Sequence, residues 1–139
     1  MPKTSSELVR HALNGPTMGT SWQVTFHASP GLDPGPVRRA LQAAVDEVDA
    51  QMSTWKPDSD LMRLNRTPPG KWVMLPTRLA EVLRLGLVVG RASGGAFDIG
   101  MGDAVRAWGF GPEAPEAGAI RAAMSNRRQP ARGVLEPDG

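Results

Sequence analysis

The sequence contains no cysteine, no tyrosine and only two histidines. Disulfides, thiolate metal sites and cysteine nucleophiles are therefore excluded. His11 and His27 have no matching serine and aspartate set, so a hydrolytic triad is unsupported. Neither sign of charge dominates, with a formal net charge of +2. Apart from Lys3, Lys56 and Lys71, the basic residues are arginines. They are scattered except for Arg127, Arg128 and Arg132, and no basic stripe carries interleaved aromatics, which argues against nucleic-acid binding. Long apolar runs are also missing. The longest, Leu85 to Gly90, is far too short to span a bilayer. Residues 1–14 lack the apolar centre of a signal peptide, so the sequence as written predicts a cytoplasmic chain. There is no P-loop and no GxGxxG after a strand.

Glycine and proline are abundant, at 16 and 13 residues. They cluster between periodic segments and so read as turns. With 139 residues, 40% of them hydrophobic, the chain is long enough for one small domain with a core. Trp22, Val24, Phe26 and Ala28 alternate with Ser21, Gln23, Thr25 and His27, the period of a half-buried strand. Pro30 and Gly31 end it. Asp33 offers a helix cap and Pro34 suits a first turn. Apolar residues at 37, 40, 41, 44, 45, 48 and 52 then predict a helix over 36–52, with Asp46, Glu47 and Asp49 on a solvated face. The stretch 53–70 reads as an ordered loop with a short helical turn at 60–64. Lys71 to Leu75 reads as a short strand. Pro76 to Ala92 reads as a second helix, with Leu79, Val82, Leu83, Gly86 and Gly90 on one face, the glycines permitting close approach of another backbone. Phe97 to Ile99 reads as extended, residues 102–108 as a helical turn or two, and 115–126 as a third helix. The fold class is α/β (mixed α+β), a small sheet of two or three strands with two to three packed helices. Residues 1–14 are expected to be a flexible N-terminus, 15–126 the folded domain, and 127–139 a tail holding the first strand of something that continues.

Three stretches stand out chemically. Gly15-Pro16-Thr17-Met18-Gly19-Thr20 precedes the strand, and a glycine turn with hydroxyls can present backbone N–H groups to a phosphate or ring edge. It also serves as a plain turn. In Met52-Ser53-Thr54-Trp55-Lys56-Pro57-Asp58-Ser59-Asp60-Leu61, followed by Arg63, Leu64 and Asn65, an aromatic opens a polar loop and can stack on a flat ligand. Helix termination and capping, with Trp55 as a lid on the core, explains the same pattern. In Ser93-Gly94-Gly95-Ala96-Phe97-Asp98-Ile99-Gly100, continuing to Trp108-Gly109-Phe110-Gly111, Asp98 can accept hydrogen bonds from a ligand or cap the next helical turn.

Taken in order, the Met-Gly-Thr turn, the M-S-T-W-x-P-D-S-D-L-x-R-x-N run and the S-G-G-A-F-D-I-G segment followed by W-G-F-G-P resemble the ApbE family, the FAD:protein FMN transferases. The resemblance covers about Gly15 to Pro112, and a helix after Pro115 fits it. It implies a Mg²⁺-dependent enzyme that cleaves the FAD pyrophosphate and attaches FMN through a phosphoester to a Thr or Ser of a target flavoprotein. It further implies that Met18, Trp55, Ala96, Phe97 and Asp98 contact FAD. Family members commonly work at the periplasmic side of the inner membrane. After Asp98 the chain reads Ile-Gly-Met-Gly-Asp where the family usually has a Thr-Val-Gly-Pro type sequence. The family's later Asp-x-Gly-Gly segment and its Asp/Thr magnesium ligands have no counterpart, so no residue is expected to bind the metal. The expectation is an N-terminal portion of the family fold, inactive as a transferase by itself. A non-catalytic flavin-binding or partner-binding module, or an inert remnant, are the alternatives.

Overall fold

The computed structural model describes residues 7–125 and residue 131. The chain forms two compact units, the first ending at Ala50 and the second beginning at Gln51.

The first unit begins with strand β1 (Val9–Thr17), which pairs antiparallel with β2 (Thr20–Ala28) from Val9 opposite Ala28 to Thr17 opposite Thr20. The alternation of β2 is as the sequence implies: Trp22, Val24, Phe26 and Ala28 are half-buried and their neighbours exposed. Cross-strand partners on this face include Leu13 with Val24 and His11 with Phe26. The rings of the latter pair stack at 5.3 Å. Residues 9–14, expected to be flexible, are therefore part of the sheet. Helix α1 (Pro34–Met52) follows, and Asp33 Oδ1 accepts a hydrogen bond from Gly35 N at its start. Polar ties bind α1 to β1: Arg38 donates to the Asn14 carbonyl, and Gln42 Nε2 donates to the Pro16 carbonyl at 3.0 Å. Gln42 Oε1 accepts from Trp22 Nε1 at 2.9 Å. Gly15 is needed at this crossing, because a Cβ there would lie 2.3 Å from Gln42 Oε1 and 2.7 Å from the Trp22 ring. Asp49 is buried, at 8% exposure, and does not join the solvated face expected for it.

The second unit is helical. It contains α2 (Asp60–Arg66), α3 (Thr77–Ala92), a 3-10 turn (Ile99–Met101), α4 (Gly102–Ala107) and α5 (Ala117–Ser125). The strand expected over 71–75 is absent. The segment keeps a strand-like alternation, with Trp72 and Met74 exposed and Val73 and Leu75 half-buried. Among the described residues no neighbouring strand forms a ladder with it, and a ladder is what makes a strand. Its Met74 carbonyl instead accepts from Arg63 Nη2 at 3.0 Å. Among the described residues, Leu79, Leu87, Ala107 and Ala131 are the buried apolar side chains of this unit. A fully buried leucine contributes about 1.5–3 kcal/mol relative to an exposed one.

The glycines of α3 permit the close approach anticipated for them. A Cβ at Gly86 would lie 2.6 Å from Ile99 Cγ2, and one at Gly90 would lie 3.2 Å from the Phe97 carbonyl oxygen. The segment 97–99 thus lies against α3. It is not a strand, and Ile99 already belongs to the 3-10 turn. Val82, placed by the sequence on one face with Leu79, Leu83, Gly86 and Gly90, is exposed along with Leu85, Val88 and Val89. The tail 127–139 lies outside the described residues apart from Ala131.

Candidate functional site

The Met18-Gly19 pair is the two-residue loop of the β-hairpin. Both residues have positive φ, 40° for Met18 and 73° for Gly19. Such loops match the right-handed twist of the flanking strands and favour Asn-Gly. A methionine there is strained by roughly 1–3 kcal/mol. Its side chain remains exposed. Beside it, the Thr17 hydroxyl is buried without a hydrogen-bond partner among the described residues.

In the second unit, Trp55 lies in the loop between α1 and α2 with 57% of its surface exposed. It is not a lid on the core. The loop is held from within by two serines that are each only 2% exposed. Ser53 Oγ accepts from Trp55 N at 3.1 Å and Lys56 N at 3.3 Å. Ser59 Oγ donates to the Ser53 carbonyl at 2.6 Å and accepts from Met62 N at 3.1 Å, capping α2. Arg66 Nη1 also donates to the Pro57 carbonyl. Ser59 fulfils the capping role open to the Pro-Asp-Ser-Asp run, whereas the part played by Ser53 was not anticipated. The visible signal is a pair of hydroxyls six positions apart, bracketing a Pro-Asp turn.

Ser93-Gly94-Gly95 ends α3. Gly94 and Gly95 have φ of 62° and 90°, and Gly95 N donates to the Gly90 carbonyl at 2.9 Å. This αL ending reverses the chain onto the helix. Ser93 Oγ accepts from Phe97 N at 3.1 Å and fixes where Phe97 leaves the turn. Phe97 is 47% exposed. Asp98 caps the 3-10 turn, because its Oδ1 accepts from Gly100 N at 2.8 Å and from Ala131 N at 3.2 Å. The capping role open to Asp98 is thus fulfilled through Oδ1. Gly86, Gly90, Phe97, Asp98 and Ile99, with Ala131, border a shallow open depression. Glycines, the aliphatic Leu87 and Ile99, and the Phe97 ring line it, with Asp98 as its charged residue. Ala96 and Trp55 lie outside its lining.

Glu116 holds the start of α5. Its carboxylate accepts from Gly118 N at 2.7 Å and Ala119 N at 2.6 Å. These backbone bonds, that from Gly118 first, hold its pKa below the usual carboxylate value. Among the described residues no three His, Cys, Asp or Glu side chains gather to hold a metal ion. No described helix is long and apolar enough to cross a membrane.

The ApbE family model matches residues 18–134. The chain is 37% identical over 118 residues to the FAD:protein FMN transferase of Klebsiella pneumoniae, covering 81% of this chain and 34% of that one. The flavin transferase ApbE from Vibrio cholerae superposes with a TM-score of 0.76 at 30% identity, over 85% of this chain and 40% of that one. The apo flavinyl transferase ApbE of Pseudomonas stutzeri gives a TM-score of 0.76 at 31% identity, over 95% and 43%. The chain belongs to the ApbE family. It spans about a third of the length of the curated relatives it matches.

Proposed function

We propose that this chain carries part of the flavin site of an FAD:protein FMN transferase, and that Trp55 is its principal flavin contact. The observation that carries the reading is an aromatic ring left 57% exposed on a loop whose backbone is fixed by buried hydroxyls. A large exposed aromatic on a fixed backbone suits stacking on a flat heterocycle. Phe97 and its neighbours Ala96 and Asp98 are the second contact region, with Phe97 exposed and Asp98 shaping the backbone through its cap. Met18 is the contact offered by the hairpin turn, where a strained φ is retained and the side chain is exposed.

In the reaction so assigned, a Thr or Ser hydroxyl of the acceptor flavoprotein attacks the FMN phosphorus of FAD. The pyrophosphate P–O bond breaks, AMP leaves, and the hydroxyl proton is given up as the phosphoester forms. A divalent ion such as Mg²⁺ supplies charge neutralisation in chemistry of this type. The described residues do not gather into a metal site, so none is assigned as a ligand and no step is routed through them. The role derived for this chain is to bind and orient the isoalloxazine portion of FAD.

The test is a titration of the full chain with FAD in the presence of Mg²⁺, followed by flavin fluorescence anisotropy. Saturable binding weakened about tenfold or more by Trp55→Ala supports the reading, given the 1–3 kcal/mol typical of an aromatic stacking contact. A folded chain that binds no FAD, or a Trp55→Ala variant that binds as well as the parent, overturns it.

A further inference from the structure

We infer that Ser59, acting through Ser53, is a positioning residue that sets the orientation of Trp55 towards its ligand. The inference rests on the reading of Trp55 as a flavin contact. A helix cap at Ser59 requires only that its oxygen accept from Met62 N. Ser59 does more, because its hydroxyl proton goes to the Ser53 carbonyl at 2.6 Å. The side chain of Ser53 then takes the amides of Trp55 and Lys56, at 3.1 and 3.3 Å. Ser59 N also donates to the Lys56 carbonyl at 3.1 Å, closing the loop a second time. Each of these bonds acts on the loop between the helices and not on helix α2.

Burial strengthens the argument. Serines are mostly exposed, and hydroxyls are seldom buried inside loops. Here both are 2% exposed while the tryptophan between them is 57% exposed. Polar atoms are sequestered and a large apolar ring is left in solvent, the reverse of what burial alone favours. The arrangement fixes the backbone nitrogen of residue 55, and hence the direction of its Cα–Cβ bond, without packing the ring into a core.

The experiment labels the full chain with fluorotryptophan and follows fluorine NMR, the Trp55 resonance being assigned by its loss in Trp55→Phe. Ser59→Ala should shift or broaden the Trp55 signal and leave that of Trp22 in place, whereas Ser59→Thr, which keeps the hydroxyl, should restore it. FAD affinity should fall roughly three- to tenfold in Ser59→Ala, the range for a lost buried hydrogen bond. In a Trp55→Ala background the same substitution should have no further effect. If Ser59→Ala does not fold, Ser53→Ala carries the same test. An unmoved Trp55 resonance, or an equal loss of affinity with and without Trp55, overturns the inference. Failure of the parent chain to bind FAD removes the flavin reading instead, and the resonance still decides whether the serines orient the ring.

Discussion

Gly86 and Ile99 are packed so closely that a single methyl group on Gly86 would stand 2.6 Å from Ile99 Cγ2. The contact joins α3 to the 3-10 turn that follows the Ala-Phe-Asp segment. Two opposed effects decide the outcome of Gly86→Ala. Alanine gains about 1 kcal/mol of helix propensity over glycine. Overpacking against a β-branched side chain with restricted rotamers costs typically 1–3 kcal/mol. The clash is too close for a small adjustment, so Gly86→Ala should be destabilising by about 1 kcal/mol in urea unfolding. In an Ile99→Ala background the same substitution should become neutral or favourable, which a double-mutant cycle reads directly.

Met18 offers a separation of stability from binding. Its φ of 40° suits glycine or asparagine. Met18→Asn should raise stability by about 1 kcal/mol, since it relieves a left-handed methionine in a turn that favours Asn-Gly. Under the proposed function the same change removes a flavin contact and weakens FAD binding. Chemical denaturation together with anisotropy on one sample measures both; a variant that gains stability and keeps full affinity removes Met18 from the site.

Asp98 should behave as a backbone anchor. Asp98→Asn preserves an acceptor for Gly100 N and Ala131 N, and is expected to stay within about 0.5 kcal/mol of the parent. Asp98→Ala leaves those amides without their partner and should cost about 1 kcal/mol, the usual loss for a removed cap. Thermal unfolding of the two variants distinguishes them. A large fall in FAD affinity in Asp98→Asn, with stability intact, would instead show the carboxylate charge acting on the ligand.

The start of α5 should depend on pH through Glu116. Because its folded pKa lies below the ordinary value, the bonds to Gly118 and Ala119 contribute fully above the unfolded carboxylate pKa and are lost as pH falls through the folded one. Amide exchange at Gly118 and Ala119 should therefore accelerate, beyond its intrinsic pH trend, on acidification below about pH 4.5. Glu116→Gln should flatten that dependence, and an unchanged profile would count against the cap.

Much of the architecture was legible because it is periodic. α1 and α3 carry apolar residues at helical spacing, and β2 alternates without a break, so their presence follows from the order of residues, although Val82 and Asp49 lie on the other side from the one expected. β1 was not legible. Its inward positions are His11, Leu13, Gly15 and Thr17, a row in which only one residue is aliphatic. The pairing with β2 supplies what that row lacks. The reverse happened at 71–75, where alternation is present and a pairing strand is not. Asp49 was misplaced for a related reason: a carboxylate on a charged helix reads as solvated until the packing around it is known. In the site, the exposed Trp55 loop and the double-glycine stop were visible as motifs. The bracing by Ser53 and Ser59 was not, because hydroxyl bonds to distant backbone atoms leave no periodic trace.

The scarcity of buried apolar side chains, Leu13, Leu79, Leu87, Ala107 and Ala131 among the described residues, has a thermal consequence. The heat capacity increment of unfolding tracks the apolar area newly wetted, and ordinary domains give about 12–15 cal/mol/K per residue. This chain should fall below that figure, so its stability curve is shallow and its melting transition broad. Any molecule that settles on the exposed Val82, Leu85, Val88 and Val89 of α3 would then announce itself calorimetrically, as a negative heat capacity of association out of proportion to the heat released.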